Sequence, residues 1–127
     1  MEFERYYSGS PWESKVGYCR AVKAGRNIYV SGTVAVGDDG KPFAQGDAYA
    51  QARRCFEIIE KALRNFGADI SNVVRVRMFV TDISRAAEYG KAHFDFFGAN
   101  PPANSMIEIK SLIDPAYLIE TEVDAVC

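Results

Sequence analysis

Two periodicities divide the chain. From Asp47 onward, Ala52, Cys55, Phe56, Ile59, Ala62, Leu63 and Phe66 recur at spacings of three and four, while Arg53, Arg54, Glu57, Glu60, Lys61 and Arg64 occupy the other positions. That pattern gives an α-helix one apolar and one charged face. Asp47 suits its N-cap and Gly67 its C-terminal cap. A second helix is expected over residues 84–97, with Ala86, Tyr89, Gly90, His93, Phe94 and Phe97 on its apolar side. Asp82 reads as its entry residue and Gly98 closes it.

Elsewhere the period is two. Residues 18–22 and 28–36 flank the turn Ala24-Gly25-Arg26-Asn27 and read as a hairpin, rich in the β-branched and aromatic residues that strands favour. Gly37 to Pro42 makes a second turn. In Val73–Val80, Val74, Val76, Met78 and Val80 are expected on one face and Val73, Arg75, Arg77 and Phe79 on the other. Asn100-Pro101-Pro102 forces an extended entry into a strand over 104–109, with Ser105, Ile107 and Ile109 on one face. The last strand, 118–127, alternates cleanly, Ile119, Thr121, Val123, Ala125 and Cys127 against Glu120, Glu122 and Asp124.

The order β-β-(β)-α-β-α-β-β predicts an α+β fold, two helices covering one face of a mixed sheet. Tyr29, Val73 and Phe79 would then lie among charges on the uncovered face, a mixture typical of an oligomer interface. Self-association is the expectation.

Composition narrows the function classes. The 127 residues are 48% hydrophobic and 25% charged, with a net charge of −2. One domain over 1–127 is expected, since no repeat or linker interrupts the chain. The pI of 5.4 argues against a nucleic-acid binder. No run of about 18 apolar residues exists, and Met1-Glu2-Phe3-Glu4-Arg5 does not resemble a signal peptide. Three cysteines without a C-x-x-C motif (Cys19, Cys55, Cys127) point to a reducing, cytoplasmic setting rather than a disulfide framework. With His93 the only histidine, no metal site or cofactor is called for, and a one-chain Ser-His-Asp triad is hard to build.

Few side chains remain as chemical candidates. Glu120, Glu122 and Asp124 form a solvated row unless a cleft covers one of them, where a carboxylate could hold a water. His93 and Cys55 fall on apolar helix faces and read as packed residues. Arg53, Arg54, Arg75 and Arg77 read as surface ion-pair formers, the first two beside Glu57 and Glu60. Ser31-Gly32 inside a β-rich run marks a bulge or a close backbone approach.

Gly17-Tyr18, Ile28-Tyr29-Val30-Ser31-Gly32, Gln51-Ala52-Arg53, residues 73–82, Pro102-Ala103-Asn104-Ser105 and Ile119-Glu120-Thr121-Glu122 occur in an order and spacing that resemble the Rid family (reactive-intermediate deaminases, YjgF-type). The resemblance covers nearly the whole chain. It implies a chorismate-mutase-like fold assembled as a homotrimer, with sheets forming a central barrel and a ligand cleft at each subunit interface. In the family's deaminases a glutamate on the last strand positions the water that attacks an imine carbon, and an arginine after Pro-Ala pairs with the substrate carboxylate. A Ser-Gly turn and a tyrosine complete the cleft. Here Glu120, Ser31, Gly32 and Tyr18 match those positions. Asn104 stands where the arginine would be, Met106 where a cysteine is common, and Gly90 where a helix asparagine lines the pocket.

An amide supplies no charge to a carboxylate, and hydrogen bonds to ions are worth roughly 1.5–3 kcal/mol against about 1 for neutral ones. Arg20, Arg75 and Arg77 are the arginines that could substitute from another subunit. The leading expectation is a homotrimer binding a small polar metabolite between subunits, one that need not carry a carboxylate. Whether it also hydrolyses that ligand is left open. The alternatives are a 2-imino/enamine acid deaminase releasing ammonia, an endoribonuclease or translation inhibitor, and a non-catalytic interaction trimer.

Overall fold

The computed structural model describes residues 2–127. Its centre is a six-stranded mixed sheet in the order β1-β2-β3-β6-β4-β5. The strands are β1 (Phe3–Tyr6), β2 (Ala21–Ala24), β3 (Asn27–Val34), β4 (Val73–Val80), β5 (Ala103–Glu108) and β6 (Ile119–Val126). Neighbours pair antiparallel except β4 with β5. The helices are α1 (Pro11–Val16), α2 (Ala48–Asn65) and α3 (Ala86–Phe97). The α+β expectation therefore holds. Two elements at the N-terminal end were not anticipated, β1 and the short α1. The bracketed third strand shrinks to one isolated bridge, Val36 to Pro42.

Helix α2 forms where its periodicity placed it. The Asp47 side chain accepts from Ala50 N–H at 2.9 Å. At the other end Gly67 takes a left-handed φ of 76°. Its N–H reaches the Arg64 carbonyl while that of Ala68 reaches Leu63, which satisfies two terminal carbonyls. The apolar face of α2 packs on β3 and β6, and α3 packs beside it. Phe56 is the hub, its ring 5.1 Å from Phe97, 5.5 Å from Phe96 and 5.9 Å from His93. Gln51 is also fully buried, and both ends of its amide are bonded, to Phe43, Ala116 and Leu118 backbone groups.

Three face assignments need correction. Val73 is buried and Val74 is 49% exposed, because the register of β4 on β6 slips between Val73 and Arg75. The extra residue of that bulge turns Val73 inward. On α3 the buried stripe runs through Tyr89, Ala92 and Phe97. Phe94 is 71% exposed. A 3₁₀ turn over Ile83–Arg85 precedes α3, so the helix starts later than its apolar pattern implied.

The uncovered sheet face carries Tyr29, Arg75, Arg77, Phe79, Glu120, Glu122 and Asp124, which meet across registered strand pairs. Arg77 Nη1 lies 3.5 Å from Glu122 and 3.3 Å from Asp124. Arg53 and Arg54 pair with Asp95 and Asp38, not with the expected neighbours Glu57 and Glu60.

Candidate functional site

A second bulge builds the site. Val30 pairs with Val123 but Thr33 with Thr121, so β3 carries one residue more than β6 across Ser31-Gly32. The kink brings the backbone of residue 32 against the Glu120 side chain. A Cβ at residue 32 would lie 2.5 Å from Glu120 Oε2 and 2.9 Å from its carboxyl carbon. Only glycine leaves that carboxylate where it is. From the other side, Arg20 Nη2 donates to the Gly32 carbonyl at 2.7 Å. The Arg20 guanidinium lies 5.8 Å from the centre of the Tyr18 ring.

Tyr18, Arg20, Gly32 and Glu120 border one cleft of about 940 Å³, with Trp12 and Ile113 on its walls. The loop ahead of Tyr18 is fixed by a buried carboxylate. Glu13 of α1, 3% exposed, accepts from Ser8 N–H at 3.0 Å and from the Ser8 hydroxyl, and its carbonyl accepts from Tyr18 N–H at 3.0 Å. The Ser10-Pro11 start of α1 is readable in sequence, as a serine N-cap followed by proline at the first helical position.

Burial pushes the Glu120 carboxyl above its ordinary range. Arg20 works in the opposite direction, and Glu122 adds a smaller upward push. A half-buried carboxyl whose proton affinity is raised is a candidate for proton transfer. The rest of the cleft lining supplies Arg20, Arg54 and Lys61 as cations and Tyr6, Tyr18 and Tyr117 as phenols.

The other proposed site residues fall elsewhere. Ser31 lines a smaller adjoining hollow with Tyr18, and its hydroxyl is already spent on the Cys19 carbonyl at 2.8 Å. Asn104 and Met106 register with Val76 and Met78, on the helix side of the sheet. Glu120 registers with Phe79, on the uncovered side. Two strand spacings of about 4.8 Å and opposite faces keep Asn104 and Glu120 out of one pocket within a single chain. Asn104 instead donates to Met78 Sδ at 3.3 Å. Gly90 lies on α3, away from the cleft, with open space where a side chain would begin. Arg20, considered from sequence as a charge from another subunit, stands in the cleft of its own chain.

His93 sits among aromatic rings, 4.7 Å from Phe97, and burial lowers its proton affinity. Burial pushes the Cys55 thiol far up, which leaves it inert. Among the described residues no three His, Cys, Asp or Glu side chains converge to hold a metal ion. No helix there is long and apolar enough to cross a membrane.

Fold and cleft together define the class: a mixed α+β sheet with a bulge-built pocket against one half-buried carboxylate, Glu120. A family model described as Endoribonuclease L-PSP matches residues 10–127. An uncharacterized Streptomyces coelicolor protein is 34% identical over 121 residues, covering 95% of this chain and 90% of its own. A RutC family protein of Pyrococcus abyssi is 30% identical over 105 residues, 83% of this chain and 82% of that one. The crystal structure of Rv2704 from Mycobacterium tuberculosis, described as a member of the YjgF/YER057c/UK114 family, superposes with a TM-score of 0.90 at 43% identity. It covers 99% of this chain and 100% of its own. The chain belongs to this YjgF/Rid family.

Proposed function

We propose that the chain binds a small polar metabolite in the cleft bordered by Tyr18, Gly32 and Glu120, and that Glu120 handles a water there. The observation that carries the reading is Glu120 itself, a carboxyl seated against Gly32 with its proton affinity raised by burial. Such a group can take a proton from water and return it to a leaving nitrogen. On a C=N ligand, water adds to the carbon, the proton passes through Glu120 to nitrogen, and collapse releases ammonia and a carbonyl compound. Atoms balance without a metal or cofactor.

The working unit in this reading is a homotrimer joined through the uncovered sheet faces, where Tyr29 and Phe79 lie beside Arg77, Glu122 and Asp124. Asn104 and Met106, on the edge strand, would then meet the cleft of the next copy rather than their own. Light scattering on the purified protein checks this, with three chain masses expected and one chain mass contradicting it. The three unpaired cysteines suit a reducing cytoplasm. RNA cleavage is disfavoured, because the one histidine is packed among phenylalanines and carboxylates outnumber cations along the cleft.

Calorimetry with matched neutral and carboxylate-bearing carbonyl compounds tests the site. Binding that weakens at least tenfold in Glu120→Gln, with the melting temperature preserved, is the expected result. Tight binding that ignores Glu120 contradicts it.

A further inference from the structure

We propose that Arg20 is the anion-binding residue of this cleft and that its ligand is a small carboxylate bearing an apolar substituent. The inference rests on the reading of the cleft as a ligand site. Position 104 carries an amide on the edge strand. Of the three cations lining the cleft within one chain, Lys61 is exposed and Arg54 is paired with Asp38, which leaves Arg20 as the half-buried one outside an ion pair.

Arg53, Arg54, Arg64, Arg77 and Arg85 each sit on a carboxylate. Arg5, Arg26 and Arg75 form no ion pair among the described residues but are exposed, whereas Arg20 is half-buried. Arg20 forms no ion pair among the described residues, although Glu120 is close enough to feel its field. Its Nη2 is committed to the Gly32 carbonyl, its Nε is buried without a partner, and its Nη1 has no protein acceptor among the described residues. A half-buried cation without a counter-charge is costly to hold, and an anion relieves that cost. The Gly32 bond and the Tyr18 ring fix the plane of the fork, which favours a planar, two-oxygen partner over a point charge.

Arg20 and Glu120 both press on residue 32 without pairing. A ligand whose carboxylate meets Arg20 therefore presents its neighbouring carbon toward the Glu120 side. The rest of the lining is mixed, with Asp38, Glu57 and Lys61 among its charged residues, but Trp12 and Ile113 also line it and stand 55% and 77% exposed. That apolar pair suits a ligand with a hydrocarbon tail.

Titration calorimetry with 4-methyl-2-oxopentanoate and its carboxamide separates the terms, using the full-length protein, Arg20→Gln and Arg20→Lys. The acid should bind the unsubstituted protein about tenfold or more tightly than the amide, the difference expected for a charge-assisted pair. Arg20→Gln should weaken acid binding at least tenfold and so erase that preference, and Arg20→Lys should keep part of it. Added salt should weaken acid binding to the unsubstituted protein; should Arg20→Gln fail to fold, this salt response and the Arg20→Lys variant carry the test. Equal binding of acid and amide, or an acid preference that survives in Arg20→Gln, overturns the role of Arg20 while leaving the cleft as the ligand site. Binding of neither compound overturns both.

Discussion

Gly32→Ala separates the placement of Glu120 from the stability of the fold. The added Cβ would lie 2.5 Å from Glu120 Oε2, and ordinary contact begins near 3.4 Å, so the carboxylate must retreat by about 0.9 Å. The obstacle is the far end of a flexible side chain rather than backbone, and residue 32 does not need a left-handed φ. The fold should therefore absorb the methyl group at a cost of about 1 kcal/mol or less, a fall in Tm of roughly 4 °C. The hydrolysis proposed for Glu120 has no such slack. A displacement of about 1 Å at a reacting group costs on the order of a hundredfold in rate, about 2.7 kcal/mol of barrier. The assay is ammonia release from imines generated in place by an amino-acid oxidase, run beside differential scanning fluorimetry. A near-normal Tm with a hundredfold slower release is expected. Full activity in Gly32→Ala refutes the claim that the bulge positions Glu120, and a collapse of the Tm refutes the claim that only the side chain yields.

Two further predictions concern pH. Because burial raises the folded-state Glu120 pKa above its ordinary 4.5, the native state holds a proton that the unfolded chain has lost. Its contribution to stability is complete below pH 4.5 and is lost as pH rises through the folded value, so urea titrations of Glu120→Gln should show a smaller loss over that window. An unchanged pH slope in the variant counts against a buried carboxyl. His93 behaves in the opposite sense: burial lowers its pKa from 6.5, so stability falls as pH drops below 6.5, where the unfolded chain takes up a proton that the native state refuses. His93→Leu should reduce that acid-side loss, and a loss identical to that of the unsubstituted protein would place His93 in water.

Much of the scaffold is written in local pattern. The α2 stripe from Ala52 to Leu63, the Asp47 cap and the strict alternation of β6 are each set by neighbours within a few residues, and all three appear in the fold. What the pattern cannot carry is a change of phase. The bulges at Val74 and at Ser31-Gly32 each insert one residue against a partner strand, and nothing in composition marks the insertion at Val74. That slip exchanged Val73 for Val74 in the core. On α3, Phe94 lies off the buried stripe of Tyr89, Ala92 and Phe97 and faces solvent. Helix α1 is different, since its Ser10-Pro11 start was available to a reader of the chain.

The site divides along the same line. Tyr18, Gly32 and Glu120 meet at one cleft because the bulge folds β3 onto the start of β6. Asn104 and Met106 are turned away by strand register. Arg20 gave no signal as a cleft residue, because its fixing partner is a backbone carbonyl twelve residues further along. A charge held by a carbonyl leaves no complementary residue type to find.

The most direct measurement of the central claim is a crystal structure of the assembled protein soaked with 4-methyl-2-oxopentanoate. Ligand density should touch the Glu120 carboxylate and the Gly32 backbone, with the carboxylate of the ligand on Arg20. Density at another site, or a vacant cleft at concentrations where calorimetry shows saturation, would contradict it.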